Sequence, residues 1–97
     1  MNPYSLTKQP MDIRQELAAR HKQLRKHAGY TQADLARRSG VSLGSLKRFE
    51  QSGQISLDNL LKLARILGKL EEFDRVLSIP EDMEAIERLF SDEMRRK

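Results

Sequence analysis

Basic and hydroxyl-bearing side chains crowd into a short stretch of the chain, residues 42–48. Four of them donate hydrogen bonds, two as permanent cations: Ser42, Ser45, Lys47 and Arg48. Ammonium and guanidinium groups bind phosphate oxygens, and a guanidinium also matches the two acceptors on the edge of a guanine. These residue types therefore point to nucleic acid as the ligand.

The positive charge of the chain is concentrated around this stretch. Residues 1–53 carry ten Lys or Arg and four Asp or Glu, a net +6, whereas residues 54–97 carry eight and ten, a net −2. Between Arg20 and Arg48 there are eight basic residues and one acid, Asp34. Such a field favours a polyanion, nucleic acid first and an anionic membrane surface second. A solvated basic face is the alternative explanation of the same composition.

Catalytic and metal-binding chemistry has little support in the sequence. There is no cysteine, which excludes disulfides, thiolate metal sites and cysteine nucleophiles. His21 and His27 are six residues apart and do not share a helix face, and neither a phosphate loop nor a Ser/His/Asp set is present. We therefore expect no enzyme and no cofactor. Because neither a membrane-length apolar run nor a secretory signal occurs, we expect a cytoplasmic protein without membrane contact.

Apolar periodicity and helix-end signals predict an all-α chain. We expect a first helix that is capped by Asp12, ends at Gly29 and has an apolar side of Ile13, Leu17, Leu24 and Ala28. A fourth helix, capped by Ser56 and closed by Gly68, has an apolar stripe of Leu57, Leu60, Leu61, Ala64 and Leu67. The apolar side of a fifth helix comprises Leu70, Phe73 and Leu77. After Pro80, a last segment has a separate apolar side of Met83, Ile86, Leu89 and Phe90.

Two short helices joined by a tight turn are predicted between these outer helices. Thr31 caps the first of the two, and Gly40 supplies the turn. Ser42 caps the second, which buries Leu46 and Phe49. A pair of short helices with a glycine in the turn is what a helix-turn-helix requires.

The second of these two helices has a well-defined outer side. With Leu46 centred on the core, about 100° per residue places Gly44 near 160° and Arg48 near 200°, so both point outward. Arg48 is predicted to read a base or, equally, to bind a phosphate, and Lys47 to bind a phosphate. Gly44 would let a DNA backbone approach or leave room for Arg48.

Three further residues complete the predicted DNA contacts or their surroundings. Ser42 and Ser45 can bond to phosphates or bases. Leu43 could meet a thymine methyl group, and packing against the preceding helix is its alternative role.

This region resembles the Cro/repressor-type (XRE) helix-turn-helix regulators over roughly residues 13–77. The matching motifs are Leu24-Arg25-Lys26, Gly29-Tyr30-Thr31-Gln32, Leu35-Ala36, Gly40-Val41-Ser42, Leu46, Phe49-Glu50 and Gly53. The resemblance implies five helices, the third in the major groove, and a homodimer on two-fold, double-stranded operator DNA. It also implies that Gln32 binds a phosphate and that Arg25 pairs internally with Glu50. Family members often have one residue between that glutamate and the glycine, so we expect residues 51–54 to form a lengthened loop.

These predictions divide the chain into three parts: a flexible arm (1–11), the helix-turn-helix domain (12–78) and a helical extension (79–97). The primary hypothesis is an autorepressor. The size and the extension also resemble HipB-like antitoxins, which repress their operon and bind a HipA-type kinase. An antitoxin acting mainly by contact with such a kinase-like toxin is thus the alternative, although the extension could instead cover its own core or a dimer seam. A small-molecule sensor ranks lowest, because no separate sensing domain is evident.

Overall fold

The computed structural model describes residues 8–80 and 86–91, and within these ranges all regular structure is helical. Five helices follow in order: α1 (Pro10–His27), α2 (Gln32–Ser39), α3 (Leu43–Ser52), α4 (Leu57–Ile66) and α5 (Leu70–Asp74). Residues 86–91 are helical as well. The predicted all-α fold, with a helix-turn-helix and a helical C-terminal segment, is confirmed.

The start of α1 differs from the prediction. Pro10 occupies the first helical turn, where its fixed φ fits and its missing N–H costs nothing. The backbone N–H of Gln9 donates to the carboxylate of Asp12 at 2.8 Å, so Asp12 lies inside the first turn. The prediction that Asp12 caps the helix is therefore wrong, and residues 10 and 11 of the predicted arm belong to α1. Residues 1–7 of that arm lie outside the described residues.

A small core is shared by the four helices α1, α2, α3 and α4. α1 packs on α3, α2 packs on both α3 and α4, and α5 packs on α4. The buried apolar residues are Ala18, Leu35, Ala36, Val41, Leu46, Phe49, Leu63 and Ala64. The four largest of them come from α2, α3 and α4, so the helix-turn-helix lies at the centre of the core.

The apolar sides predicted for the outer helices are only partly correct. In α1, Ile13 is 41% exposed, because α1 turns Ala18 and two polar residues toward α3, and Ala28, which directly follows the helix, is exposed as well. In α4, Leu57 is 66% exposed, and the fully buried residue is Leu63, which the predicted stripe omitted. Both helices are rotated relative to the expected stripe, since ion pairing and close packing override the spacing of apolar residues.

The two ends of the C-terminal region also depart from expectation. α5 ends at Asp74, and Leu77 lies in the following turn with φ +65° and 97% exposure, so its predicted place on the apolar side of α5 is wrong. Among the apolar residues predicted for the last segment, Ile86 is half-buried and both Leu89 and Phe90 are exposed. Met83 lies outside the described residues.

Residues 51 and 52 belong to α3. The prediction of a loop over residues 51–54 is therefore wrong for these two residues. Gly53 ends the helix with φ +78°, and its backbone N–H donates to the carbonyl of Phe49 at 2.7 Å. A Cβ atom on Gly53 would lie 2.9 Å from the carbonyl carbon and oxygen of Arg14. The residue by which this segment exceeds the usual family spacing therefore lengthens α3. Gly53 follows it and lies close to the backbone of α1.

Candidate nucleic-acid interface

The helix-turn-helix is fixed by hydrogen bonds at the start of α2 and at the turn. The backbone N–H of Asp34 donates to the Thr31 hydroxyl oxygen at 3.0 Å, and the Thr31 N–H donates to the Asp34 carboxylate at 3.2 Å, confirming the predicted cap. The hydrogen bonds from Thr31, followed by that from Arg37, hold the pKa of Asp34 below its ordinary value. Gly40 ends α2 with φ +80°, a conformation that glycine adopts without strain, as the predicted turn requires.

The start of α3 is capped by the predicted serine. The backbone N–H of Ser45 donates to the Ser42 hydroxyl oxygen at 3.1 Å, and the Ser42 hydroxyl donates to that of Ser45 at 2.8 Å. The hydroxyl hydrogen of Ser42 is therefore used within the cap. Ser45 keeps its own hydroxyl hydrogen for a bond to another group.

The outer face of α3, defined here as Leu43, Gly44, Lys47 and Arg48, is exposed. It lies opposite Leu46 and Phe49, which are buried. A Cβ atom on Gly44 would meet no described atom within 4 Å, and the residue has no positive φ. Within the described residues, neither packing nor backbone conformation therefore requires a glycine at this position.

Arg48 is held at the edge of this face by an amide. Its Nε and Nη2 atoms both donate to Oε1 of Gln54, at 3.0 and 2.6 Å. The guanidinium borders a depression of about 430 Å³ between α3 and the start of α4, lined by Arg14, Ser45, Arg48, Gln54, Ile55, Ser56 and Asn59. Two arginines and no acidic residue line it, so the depression is suited to an anion.

Arg14 is a functional candidate that the sequence analysis missed. It comes from the first half of α1, far in sequence from α3, and the close passage of Gly53 brings the two together. Its only signal in the sequence was its positive charge. Arg14 lies outside the basic cluster from Arg20 to Arg48.

A buried ion pair connects α1 to α3. Nε of Arg25 lies 2.8 Å from Oε2 of Glu50, and Nη2 of Arg25 donates to Oε1 at 2.9 Å, which gives a two-point contact. Nη1 of Arg25 also donates to the carbonyl of Tyr30 at 2.9 Å. The predicted internal pairing of Arg25 with Glu50 is confirmed, and it ties the helix that precedes the motif to α3.

Two further side chains bond to the same carboxylate. Nε2 of Gln32 donates to Oε1 of Glu50 at 3.0 Å, so one amide hydrogen of Gln32 is used inside the protein and the other remains for an external acceptor. Nδ1 of His21 lies 2.7 Å from Oε2 of Glu50, and the ring meets Phe49 edge-on at 5.2 Å between centroids. Glu50 therefore joins α1, α2 and α3.

Charge within this cluster is set by burial and by hydrogen bonding. Burial, helped by the nearby charge of Arg25, lowers the pKa of His21 despite the opposing effect of Glu50, so the neutral imidazole is favoured, with its hydrogen on Nδ1 facing the carboxylate. Burial raises the pKa of Glu50, but the hydrogen bonds from Arg25 and Gln32, together with the attraction of Arg25 and His21, leave the pKa below its ordinary value. Nε2 of His21 is buried without a hydrogen-bond partner among the described residues.

The chain matches one family model. The helix-turn-helix family model matches residues 22–73, more than half of the chain, so the chain belongs to this Cro/repressor-type (XRE) family. Comparison with curated proteins and with solved structures gave no significant match.

Membership defines the class of the molecule, a DNA-binding transcription regulator. In the part of the chain that the structure describes, no helix is long and apolar enough to cross a membrane. The same residues contain no group of three or more His, Asp or Glu that could hold a metal ion.

Proposed function

We propose that the protein represses its own promoter by inserting α3 into the major groove of operator DNA. The observation that carries this proposal is the outer face of α3, which is exposed, carries two cations and has no acid. The one acid of α3, Glu50, is turned inward and neutralised by Arg25. A helix with this charge distribution can approach phosphates without repulsion.

The first turn of α3 would meet the base edges. Residues near the start of a recognition helix are the ones that reach into the groove. Leu43 is exposed there and presents methyl groups to a thymine methyl, and the bare backbone at Gly44 allows close approach. Lys47 would bind a phosphate at the wall of the groove, while Ser45 would donate its hydroxyl hydrogen.

We assign Arg48 to the DNA backbone. Its two hydrogen bonds to Gln54 turn the guanidinium toward the depression that Arg14 also lines, at the side of the outer face. Two guanidinium groups beside one depression favour a phosphodiester, whose oxygens accept several hydrogen bonds. In this arrangement Arg48 positions α3 in the groove, and the second amide hydrogen of Gln32 binds a phosphate near the start of α2.

We further propose that the protein binds as a homodimer to a palindromic operator. One recognition helix reads only a short half-site, and a two-fold dimer would place two copies of α3 one helical turn apart, about 34 Å. The most direct test is footprinting of the region upstream of its own gene. Two protected half-sites related by two-fold symmetry are expected, and an unprotected promoter would refute autorepression.

An antitoxin is the second candidate function. It is favoured by apolar side chains exposed after α5, at Val76, Leu77 and Ile79, which a partner protein could cover. Footprinting in the presence of the neighbouring gene's product tests it. A kinase-like product that co-purifies in a stoichiometric complex and extends or strengthens protection would support the antitoxin role, and a product that changes neither would contradict it.

A further inference from the structure

An apolar groove lies between α1 and the pair α4–α5. Its volume is about 500 Å³, and its walls are made by half-buried apolar side chains: Leu17, Leu24, Leu60, Leu67 and Phe73. Core residues are usually covered on all sides, but these keep one side open. The groove is therefore apolar surface that the described residues of the chain leave uncovered.

The charged residues that line this groove are two cations and one acid. They are Arg20, Lys69 and Glu72; the Glu72 carboxylate is 3.1 Å from the ammonium of Lys69, and a guanidinium nitrogen of Arg20 lies 3.8 Å from the Glu16 carboxylate. Both cations are thus already paired within the chain, although the lining residues carry one more cation than acid. The groove presents an apolar floor with a small excess of positive charge at its border, which favours an apolar segment near acids over one near cations.

The C-terminal region offers such a segment. Residues 86–91 are helical, and Leu89 and Phe90 are 44% and 50% exposed. They share a helix face with Ile86, because residues three and four positions apart lie side by side. In the sequence, residues 81–93 carry six acids and one basic residue, Arg88.

We propose that the segment 86–91 of one copy occupies the α1/α4–α5 groove of a second copy, and the reverse. This inference rests on the homodimer of the proposed function and names its interface. The apolar face of the segment would cover the open leucines. Two equivalent contacts related by a two-fold axis double the buried surface, as in an isologous dimer.

A second copy is the occupant that the single chain favours. Among residues 8–80 and 86–91 of one chain, the groove is open while Leu89 and Phe90 remain exposed, so these two surfaces do not cover one another. The apolar core of the described residues is also small. A small core can gain stability by association, and the exchange of a C-terminal segment is a simple route to a dimer.

The absence of cysteine allows a direct test by disulfide trapping. Gln23 lines the groove, and Ser91 ends the described part of the segment. The variants Gln23→Cys and Ser91→Cys are mixed, oxidised and analysed on a non-reducing gel, with the linked peptides identified by mass spectrometry. Because the cysteines are on different chains, a 23–91 disulfide can form only between copies.

The control pair is Asp58→Cys with Ser91→Cys, since Asp58 is exposed on α4 and does not line the groove. We expect the 23–91 product to exceed the 58–91 product on the order of tenfold, because docking raises the effective concentration of the two thiols. Equal yields, or no 23–91 product, would overturn the proposal. So would a double variant Gln23→Cys/Ser91→Cys that forms its disulfide only within one chain.

A second measurement removes the apolar contact itself. The double variant Leu89→Asp/Phe90→Asp should sediment as a monomer and lose the 23–91 product, whereas Leu57→Asp, an exposed leucine outside the groove, should stay dimeric. Circular dichroism checks that both remain folded. If the wild type protects two half-sites but neither trapping nor the double variant has an effect, the dimer uses another surface. The inference then fails while the proposed function stands.

Discussion

Glu50 shows how a single carboxylate can hold a DNA-binding motif in shape. It accepts hydrogen bonds from Arg25 of α1 and Gln32 of α2 while belonging to α3. Removal of one partner of a buried ion pair leaves an uncompensated charge, which is far more costly than loss of a surface pair. The orientation of α3 is therefore fixed by the charged cluster as well as by apolar packing.

The neutral, buried His21 predicts a pH dependence of stability. Its folded pKa lies below the value of about 6.5 expected for the unfolded chain, so below that pH the unfolded state takes up a proton that the folded state does not. Stability should be fully present above about pH 6.5 and fall at lower pH, by up to about 1.4 kcal/mol per pH unit. Urea unfolding at pH 7.5, 6.5 and 5.5 measures this.

The matched variant is His21→Met, which removes the titrating group and keeps the site filled. Its stability should change less than that of the wild type between pH 7.5 and 5.5. Glu50, whose pKa is lowered, loses its contribution only at more acidic pH. Equal pH dependence in the two proteins would show that His21 titrates in the same way when folded and unfolded.

The assignment of Arg48 to a phosphate also makes a prediction at the residue scale. In Arg48→Ala, binding should weaken by a similar factor on operator and on shuffled duplexes, and the slope of log K against log salt should fall by about one. Fluorescence anisotropy at several salt concentrations measures both quantities. Arg65→Ala, an exposed arginine on α4, serves as the control. A loss confined to one base pair of each half-site would instead mean that Arg48 reads a base.

Single residues were predictable where a known pattern or local chemistry identified them. The pair Arg25–Glu50 followed from the family resemblance, because its positions lie within the matching motifs. His21 was not found, since its importance depends on which side of α1 faces α3. That orientation follows from the charged cluster and not from apolar spacing.

At the scale of helices, boundaries set by neighbours in sequence were easier to predict than boundaries set by distant segments. The caps Thr31, Ser42 and Ser56 were all predicted and are all confirmed, because a cap is a local contact between neighbours in sequence. The end of α3 was not predictable, because Gly53 is placed by the backbone of α1, nearly 40 positions earlier. Contacts between distant segments leave little trace in a single sequence.

Gly53 and Gly40 allow the cost of a left-handed backbone to be compared with the cost of a close contact between distant segments. Both have φ near +80°, but a Cβ atom would meet the Arg14 backbone at Gly53 and nothing within 4 Å at Gly40. Gly40→Ala should cost about 1–2 kcal/mol for the left-handed conformation alone. Gly53→Ala should cost more, because the α1 backbone must also move. Urea unfolding of both variants tests this, and equal losses would mean that the contact with Arg14 is soft.

At the scale of the whole molecule, charge was predicted better than packing. The basic half of the chain contains the helix-turn-helix, as the charge distribution indicated. The groove between α1 and α4–α5 was not predicted, because the apolar residues of α1 and α4 were expected to be fully buried in the core. These apolar residues are half-buried in the structure, and they line the groove that the proposed dimer would use.

The central claim, that the outer face of α3 enters the DNA groove, is tested most directly by a charge placed on that face. In Gly44→Glu, the carboxylate meets open space in the free protein, so folding should persist while repulsion from phosphates weakens operator binding by about tenfold or more. Ala19→Glu adds the same charge at an exposed position of α1 and should weaken binding by less than about threefold, since distant surface charges are screened by salt. Measured by anisotropy on the operator duplex, equal losses in the two variants would contradict the claim.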